Sequence, residues 1–187
     1  MPIRQRRSGP CRVVAMVCVC CCVSLGLVAC GSSSKSATTA TTAGASSCPF
    51  SGTTAPTHGS GAGVGVITTV TPSVSGCIDS VVAKFSTAMP AWKVAYATGP
   101  LVDARTGTKV SVPGAFDLVV TFAGTTYPLL GNSTPVTLSP SGWNHVKGVA
   151  VFTGPGGALE FVVGLPTKLS YTTSVAPPPT EFVLAIG

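Results

Sequence analysis

Two histidines, five carboxylates and many serines are the groups from which an acid–base or nucleophilic centre would have to be built. His58 lies in a Gly/Thr-rich stretch that offers no rigid element to hold a general base. His145 follows Trp143-Asn144 at a turn, where a solvated or strand-edge imidazole is expected. No Gly-x-Ser-x-Gly elbow presents a serine nucleophile. Asp117 and Glu160 are the carboxylates available for a hydrolytic pair, but each alternates with apolar residues and reads as solvent-facing. No His/Cys/Asp cluster has metal-ligand spacing, and no glycine-rich loop opens a helix as a phosphate cradle requires. The expectation is a noncatalytic chain with no cofactor and no metal. Trp143, in a loop after Pro140-Ser141-Gly142, is the ring offered to a ligand as a stacking platform, against the plainer reading of packing or incidental exposure. Trp92 alternates with Val94 and Tyr96 and is expected in the core.

Thiol chemistry is more informative. Residues 1–12 are basic, with Arg4, Arg6, Arg7 and Arg12, and residues 13–29 are apolar without a charge. This is the order of a secretory signal. An apolar run of 17 residues is also at the lower limit for a transmembrane helix. The sequence that follows favours export with cleavage. Leu27-Val28-Ala29-Cys30 resembles the lipobox of bacterial lipoproteins, and Gly31-Ser32-Ser33-Ser34 continues it with small polar residues. In that motif the cysteine thiol accepts a diacylglyceryl group, and small Ala29 lets a signal peptidase cut before Cys30. The mature protein would then hold the membrane through acyl chains, at about 0.8 kcal/mol per buried methylene. Cys11, Cys18, Cys20, Cys21 and Cys22 would leave with the leader. Cys48 and Cys77 would remain in an oxidising compartment. They are expected to pair, the other reading being two free or partly buried thiols.

The charge balance changes in the same way. The formal charge is +6, but four arginines sit in the leader, and without them seven basic residues face five acidic ones, leaving +2. So weak a field gives no electrostatic case for nucleic acid.

Residues 31–47 are almost entirely Ser, Thr, Ala and Gly and cannot bury enough surface to fold. Residues 30–63 are therefore assigned to a flexible tether, of which 51–63 is read as irregular. The span 31–47 alone would reach roughly 20–25 Å. From residue 64 the pattern is strand, turn, strand. Candidate strands are 64–70, 78–86, 92–98, 109–112, 116–123, 136–139, 146–153, 158–165, 168–175 and 181–186. Phe116-Leu118-Val120-Phe122, Phe161-Val163-Leu165 and Phe182-Leu184-Ile186 alternate as half-buried strands do. Residues 79–88 also fit a helix by spacing, but their β-branched content favours a strand. Turn signals such as Thr98-Gly99-Pro100, Pro113-Gly114 and Gly154-Pro155-Gly156-Gly157 separate the runs, and Asp103-Ala104-Arg105-Thr106-Gly107 reads as a hairpin turn. Many short strands with regular turns predict an all-β, antiparallel β-sandwich over 64–187.

Several of these segments resemble the AMIN-like domains of actinobacterial lipoproteins. Ile78-Asp79-Ser80-Val81-Val82-Ala83-Lys84-Phe85 is similar to the family's first strand, and Trp92-Lys93-Val94-Ala95-Tyr96 to its second. Val112-Pro113-Gly114-Ala115-Phe116 resembles its Gly-Ala-Phe-Leu segment. Val149-Ala150-Val151-Phe152 with Leu159–Leu165 resembles its late hairpin, and Glu181–Ile186 its last strand. The family usually carries a basic residue where Ser80 stands, and an arginine near Thr180-Glu181, so a buried Asp–Arg pair of the family type lacks its arginine here. The resemblance implies a β-sandwich in the cell envelope, similar to modules that hold cell-wall hydrolases on peptidoglycan. The expected function is a membrane-anchored, noncatalytic module binding peptidoglycan or an envelope protein. A second expectation, from a different class, is a carrier enclosing a small apolar ligand or lipid.

Overall fold

Strict alternation builds the strands. In Ile78–Phe85 every second residue, Asp79, Val81, Ala83 and Phe85, is buried, and Glu181–Ile186 buries Phe182, Leu184 and Ile186 in the same way. The computed structural model describes residues 48–130, 135–139, 141–177 and 180–187. The expected signal segment, Cys30 and the Ser/Thr-rich stretch to residue 47 lie outside the described residues.

Among the described residues thirteen strands follow in order: β1 (Thr57–Gly59), β2 (Gly65–Ser75), β3 (Ile78–Phe85), β4 (Trp92–Tyr96), β5 (Leu101–Val102), β6 (Lys109–Val110), β7 (Phe116–Phe122), β8 (Thr125–Thr126), β9 (Val136–Leu138), β10 (Gly148–Thr153), β11 (Leu159–Leu165), β12 (Tyr171–Ala176) and β13 (Glu181–Ile186). One sheet has the order β1-β4-β7-β11-β10-β9, the other β12-β13-β3-β2-β8, and β5 and β6 form a separate hairpin. The pairings are antiparallel except for the short parallel contact of β2 with β8. The expected β-sandwich is the fold observed, and 78–85 is a strand rather than a helix.

Aromatic rings fill the space between the sheets. Phe122 meets Phe85, Phe161 and Phe182 edge-to-face, with centroids 5.3, 5.4 and 5.0 Å away. Trp92 packs on Phe182 at 5.1 Å, as its alternation predicts. Such pairs add about 0.5–1.5 kcal/mol each beyond the area they bury.

Two regions depart from the expectation. The stretch 51–63, read as irregular tether, joins the folded body. Thr53 and Tyr171 exchange backbone hydrogen bonds at 3.0 and 2.9 Å, the Tyr171 hydroxyl donates to the Ala55 carbonyl at 2.6 Å, and β1 pairs with β4. Cys48 is bonded to Cys77, with Cα atoms 5.9 Å apart, so the segment from residue 48 is tied covalently to the sandwich. A segment too polar to fold by itself is held here by a covalent link and by a core tyrosine.

The second departure lies on the outer face of the six-stranded sheet. Residues 101–112 fold back over it, and Val110 and Val112 pack on Ala150, Phe152 and Val162. The Ala104 N–H donates to the Thr153 carbonyl at 2.7 Å, fixing the turn to β10. Asp103 organises that turn by accepting from the Arg105 and Thr106 N–H groups at 2.9 and 3.2 Å. Strand β11, covered on both sides, is buried at every position. Gly164 is needed there, because a Cβ would collide with the Pro113 carbonyl.

Candidate functional site

The β5–β6 hairpin covers β10 and β11 but leaves β4 and part of β7 bare. The step between covered and bare sheet is a groove of about 370 Å³. Its floor comes from outward positions on three neighbouring strands: Lys93 and Ala95 on β4, Val119 and Thr121 on β7, and Glu160 on β11. Register places Lys93, Thr121 and Glu160 in one transverse row, since Lys93 pairs with Thr121 and Thr121 with Glu160. Adjacent strands lie about 4.8 Å apart, so the row crosses the groove within about 10 Å. Residues 96–101 form the far wall.

Glu160 is 9% exposed. Its Oε1 accepts a hydrogen bond from Thr121 Oγ1 at 3.2 Å. Burial pushes the Glu160 carboxyl above its ordinary range, and the Thr121 hydrogen bond only partly offsets this. Gly154 packs directly against the carboxyl, and a Cβ there would overlap it. Lys93, exposed on β4, stands beyond 4.0 Å from the carboxylate.

A second groove of about 320 Å³ adjoins the first across Tyr96, Ala97 and Thr98. Thr54, Pro56, Phe116 and Lys168 complete its lining. Phe116 begins β7 in phase with the core residues, but it lies past the end of the core and is 42% exposed. Tyr96 is fixed beside it: the rings are 6.4 Å apart and nearly perpendicular, and the Tyr96 hydroxyl donates to the Leu169 carbonyl at 2.5 Å. Lys168 Nζ stands 5.1 Å from the Tyr96 ring centroid, in cation–π range.

A different buried carboxylate has a contrasting environment. Asp79 is fully buried and accepts backbone N–H donors from Asn144 (3.1 Å), His145 (2.6 Å) and Val146 (2.9 Å), with Asn144 Nδ2 at 3.2 Å. Burial pushes its carboxyl up, but these backbone donors and neighbouring His145 more than reverse that, and it lies below the ordinary aspartate value. The 144–146 segment thus supplies as N–H groups what an arginine would supply as a guanidinium.

The residues singled out from sequence scatter. Cys48 and Cys77 form the expected disulfide. Trp143 is half-buried, packs against the core and lines neither groove, so its ring is largely occupied by packing. His145 is not a free surface imidazole, since its Nε2 lies 3.1 Å from the Cys77 carbonyl. His58 is exposed on β1 opposite Lys93, on an ordered strand. Asp117 and Glu160 share the outer face, but Asp117 pairs with Gly164 and Glu160 with Thr121, four register positions apart. They are about 13 Å apart along the strands and form no carboxylate pair. The solvent-facing reading of Glu160 is corrected: alternation shows which face a residue points to, whereas the hairpin decides whether that face is covered. One signal was available. Leu159–Leu165 is apolar on both alternating faces apart from Glu160, the pattern of a strand covered on both sides. Nothing in local sequence signalled the roles of Lys93, Tyr96, Phe116 and Asp79.

Among the described residues no group of three or more His, Cys, Asp or Glu side chains is placed to hold a metal ion, and no helix is long and apolar enough to cross a membrane. No curated protein and no solved structure matches the chain. The sequence model of the AMIN-like domain does match, across residues 65–187, from β2 to the C-terminal residue. With well over half of its length matched, the chain belongs to the AMIN-like domain family, a family of cell-envelope-associated binding modules.

Proposed function

We propose that this protein is a lipid-anchored, extracytoplasmic and noncatalytic module that holds cell-wall glycan in its two adjoining grooves. The observation that carries this reading is the composite surface. An exposed phenyl ring and a fixed tyrosine stand at one end, and a polar row of Lys93, Thr121 and Glu160 at the other. Sugars present an apolar ring face and a rim of hydroxyl and amide groups, so a stacking surface beside hydrogen-bonding groups suits them. Anchoring rests on the leader: a basic segment, an apolar run and Leu27-Val28-Ala29-Cys30 before a small polar stretch.

Binding without hydrolysis is supported by the carboxylates. Glycoside hydrolysis ordinarily needs two carboxyl groups about 5–9.5 Å apart across the scissile bond. Asp117 stands well beyond that from Glu160 along the shared sheet face. The sandwich centre is filled by Phe85, Phe122, Phe161 and Phe182, which supports a ligand on the surface rather than a lipid carried inside.

Retention of the purified full chain on insoluble peptidoglycan, against an albumin control, tests the binding. Retention is expected, and Phe116→Ala should weaken it about threefold to tenfold, the equivalent of one aromatic contact. Retention no greater than albumin's would overturn the glycan reading. The anchor is tested separately by fatty-acid labelling, which Cys30→Ala should abolish together with membrane fractionation.

A further inference from the structure

Glu160 is a buried carboxylate that opens onto a groove, and among the described residues no cation lies within 4.0 Å of it. A carboxylate taken out of water normally acquires a counter-charge or several donors. Among the described residues Glu160 has one hydrogen-bond partner, a neutral hydroxyl at 3.2 Å, longer than the usual O–H···O range of about 2.5–3.0 Å. Its position is nevertheless built. Thr121 orients one oxygen, Gly154 omits a side chain so that the carboxyl fits, and the hairpin covers one side. We infer that Glu160 determines specificity in the first groove by taking a primary ammonium group carried on the ligand. The inference deepens the glycan-binding reading of the same grooves and rests on it for the identity of the polymer.

The groove's chemistry selects that group. Ala95 and Val119, which line the same groove, suit the carbon atoms next to an amine. A neutral hydroxyl or amide could meet the geometry but would leave the charge uncompensated. An ammonium supplies three donors and the compensating charge, and charge-assisted hydrogen bonds are roughly twice as strong as neutral ones. Lys93 lies on the same transverse row, near enough to raise the local positive potential yet outside pairing distance. Its charge repels the ligand's ammonium, which Glu160 must hold against that repulsion. Cell-wall polymers can carry this chemistry from two sources, a free amino group on a peptide branch or an amino sugar without its acetyl group.

Retention of the full chain is compared on untreated peptidoglycan, on the same material N-acetylated with acetic anhydride, and on glycan strands freed of peptide. Acetylation is expected to reduce retention at least tenfold. Glu160→Gln should bind the untreated and acetylated forms equally weakly, and Lys93→Ala should bind the untreated form more tightly than the parent chain. Loss of binding on removing peptide places the amine on the branch, and persistence places it on the sugar. In parallel, the Glu160 side-chain carboxyl resonance is followed by NMR during titration with ethylammonium chloride or with N-ethylacetamide. A saturable shift with the ammonium alone is expected. Should the resonance ignore ethylammonium while peptidoglycan is still retained, the ammonium inference is overturned and the glycan reading stands. Should ethylammonium shift it saturably while peptidoglycan is not retained, the glycan reading falls and the ammonium site stands.

Discussion

Asp79 and Glu160 are both carboxylates removed from water, on different sheets of one sandwich, and their surroundings assign them opposite work. Asp79 meets three successive backbone N–H groups and an amide, and is fully enclosed. Those donors draw its carboxyl below the ordinary value, so the folded state favours the charge. Glu160 meets one hydroxyl beside an open groove, burial draws its carboxyl upward, and the folded state disfavours the charge. A carboxylate whose donors are all supplied by the fold holds a loop. One whose donors are incomplete, at the floor of a groove, is available to something else. Perturbed groups gather at structural networks as well as at functional sites, and the direction of the shift together with the missing partners separates the two cases here.

The largest effect that would sharpen the contrast is removal of the Asp79 side chain. Asp79→Ala leaves the Asn144, His145 and Val146 N–H groups without their acceptor and frees the 143–146 loop from β3. A loss of about 3–5 kcal/mol is expected in urea denaturation, and a loss below about 1 kcal/mol would make the two carboxylates equivalent. Next comes the disulfide, which ties Cys48 to Cys77, two residues before Asp79. Its 29-residue separation predicts about 3–4 kcal/mol lost on Cys48→Ser in the chain-entropy model. That loss should be accompanied by faster amide exchange at Thr53, because its bridge to Tyr171 is then the nearest remaining hold on the segment.

Acidity divides the pair in sign. Asp79, with a lowered folded value, contributes stability that is present above its unfolded pKa and is lost as pH falls through the folded one. Glu160, with a raised folded value, does the reverse. Its ionisation costs stability as pH rises from the ordinary 4.5 through the raised value. Asp79→Asn should therefore flatten the acid limb of a stability–pH curve, and Glu160→Gln should remove a decline on the other side of 4.5. Asp117, also raised by burial, adds to that decline and remains in the Glu160 variant. The smallest effect is Glu160→Gln at neutral pH, where removal of an uncompensated buried charge should leave stability unchanged or raise it by about 1 kcal/mol. A loss above about 2 kcal/mol would recast Glu160 as a second structural carboxylate.

The sandwich was legible because β7 and β13 carry large apolar residues at every second position, and a period of two in a chain this rich in Val, Phe and Leu leaves little else to form. The disulfide was legible because export would leave Cys48 and Cys77 as the thiols beyond the anchor. The short strands β1, β5 and β8 were not, since two or three residues carry no period and owe their conformation to what they lie against. The grooves were hidden for the same reason. The first exists because the β5–β6 hairpin stops short of β4, and the second because Thr54, Pro56 and Lys168 close around Tyr96 and Phe116, tertiary events that no local pattern records. Phe116 shows the limit of alternation most clearly: its phase is that of a core residue, and only the end of the opposing sheet decides that the ring is left in solvent.

The most direct test is to measure Glu160→Gln and the parent chain side by side, for unfolding midpoint and for retention on purified peptidoglycan. The expected result is a variant at least as stable as the parent that has lost at least nine-tenths of its retention. A variant that unfolds earlier while binding peptidoglycan as well as the parent would contradict the division of labour between the two carboxylates.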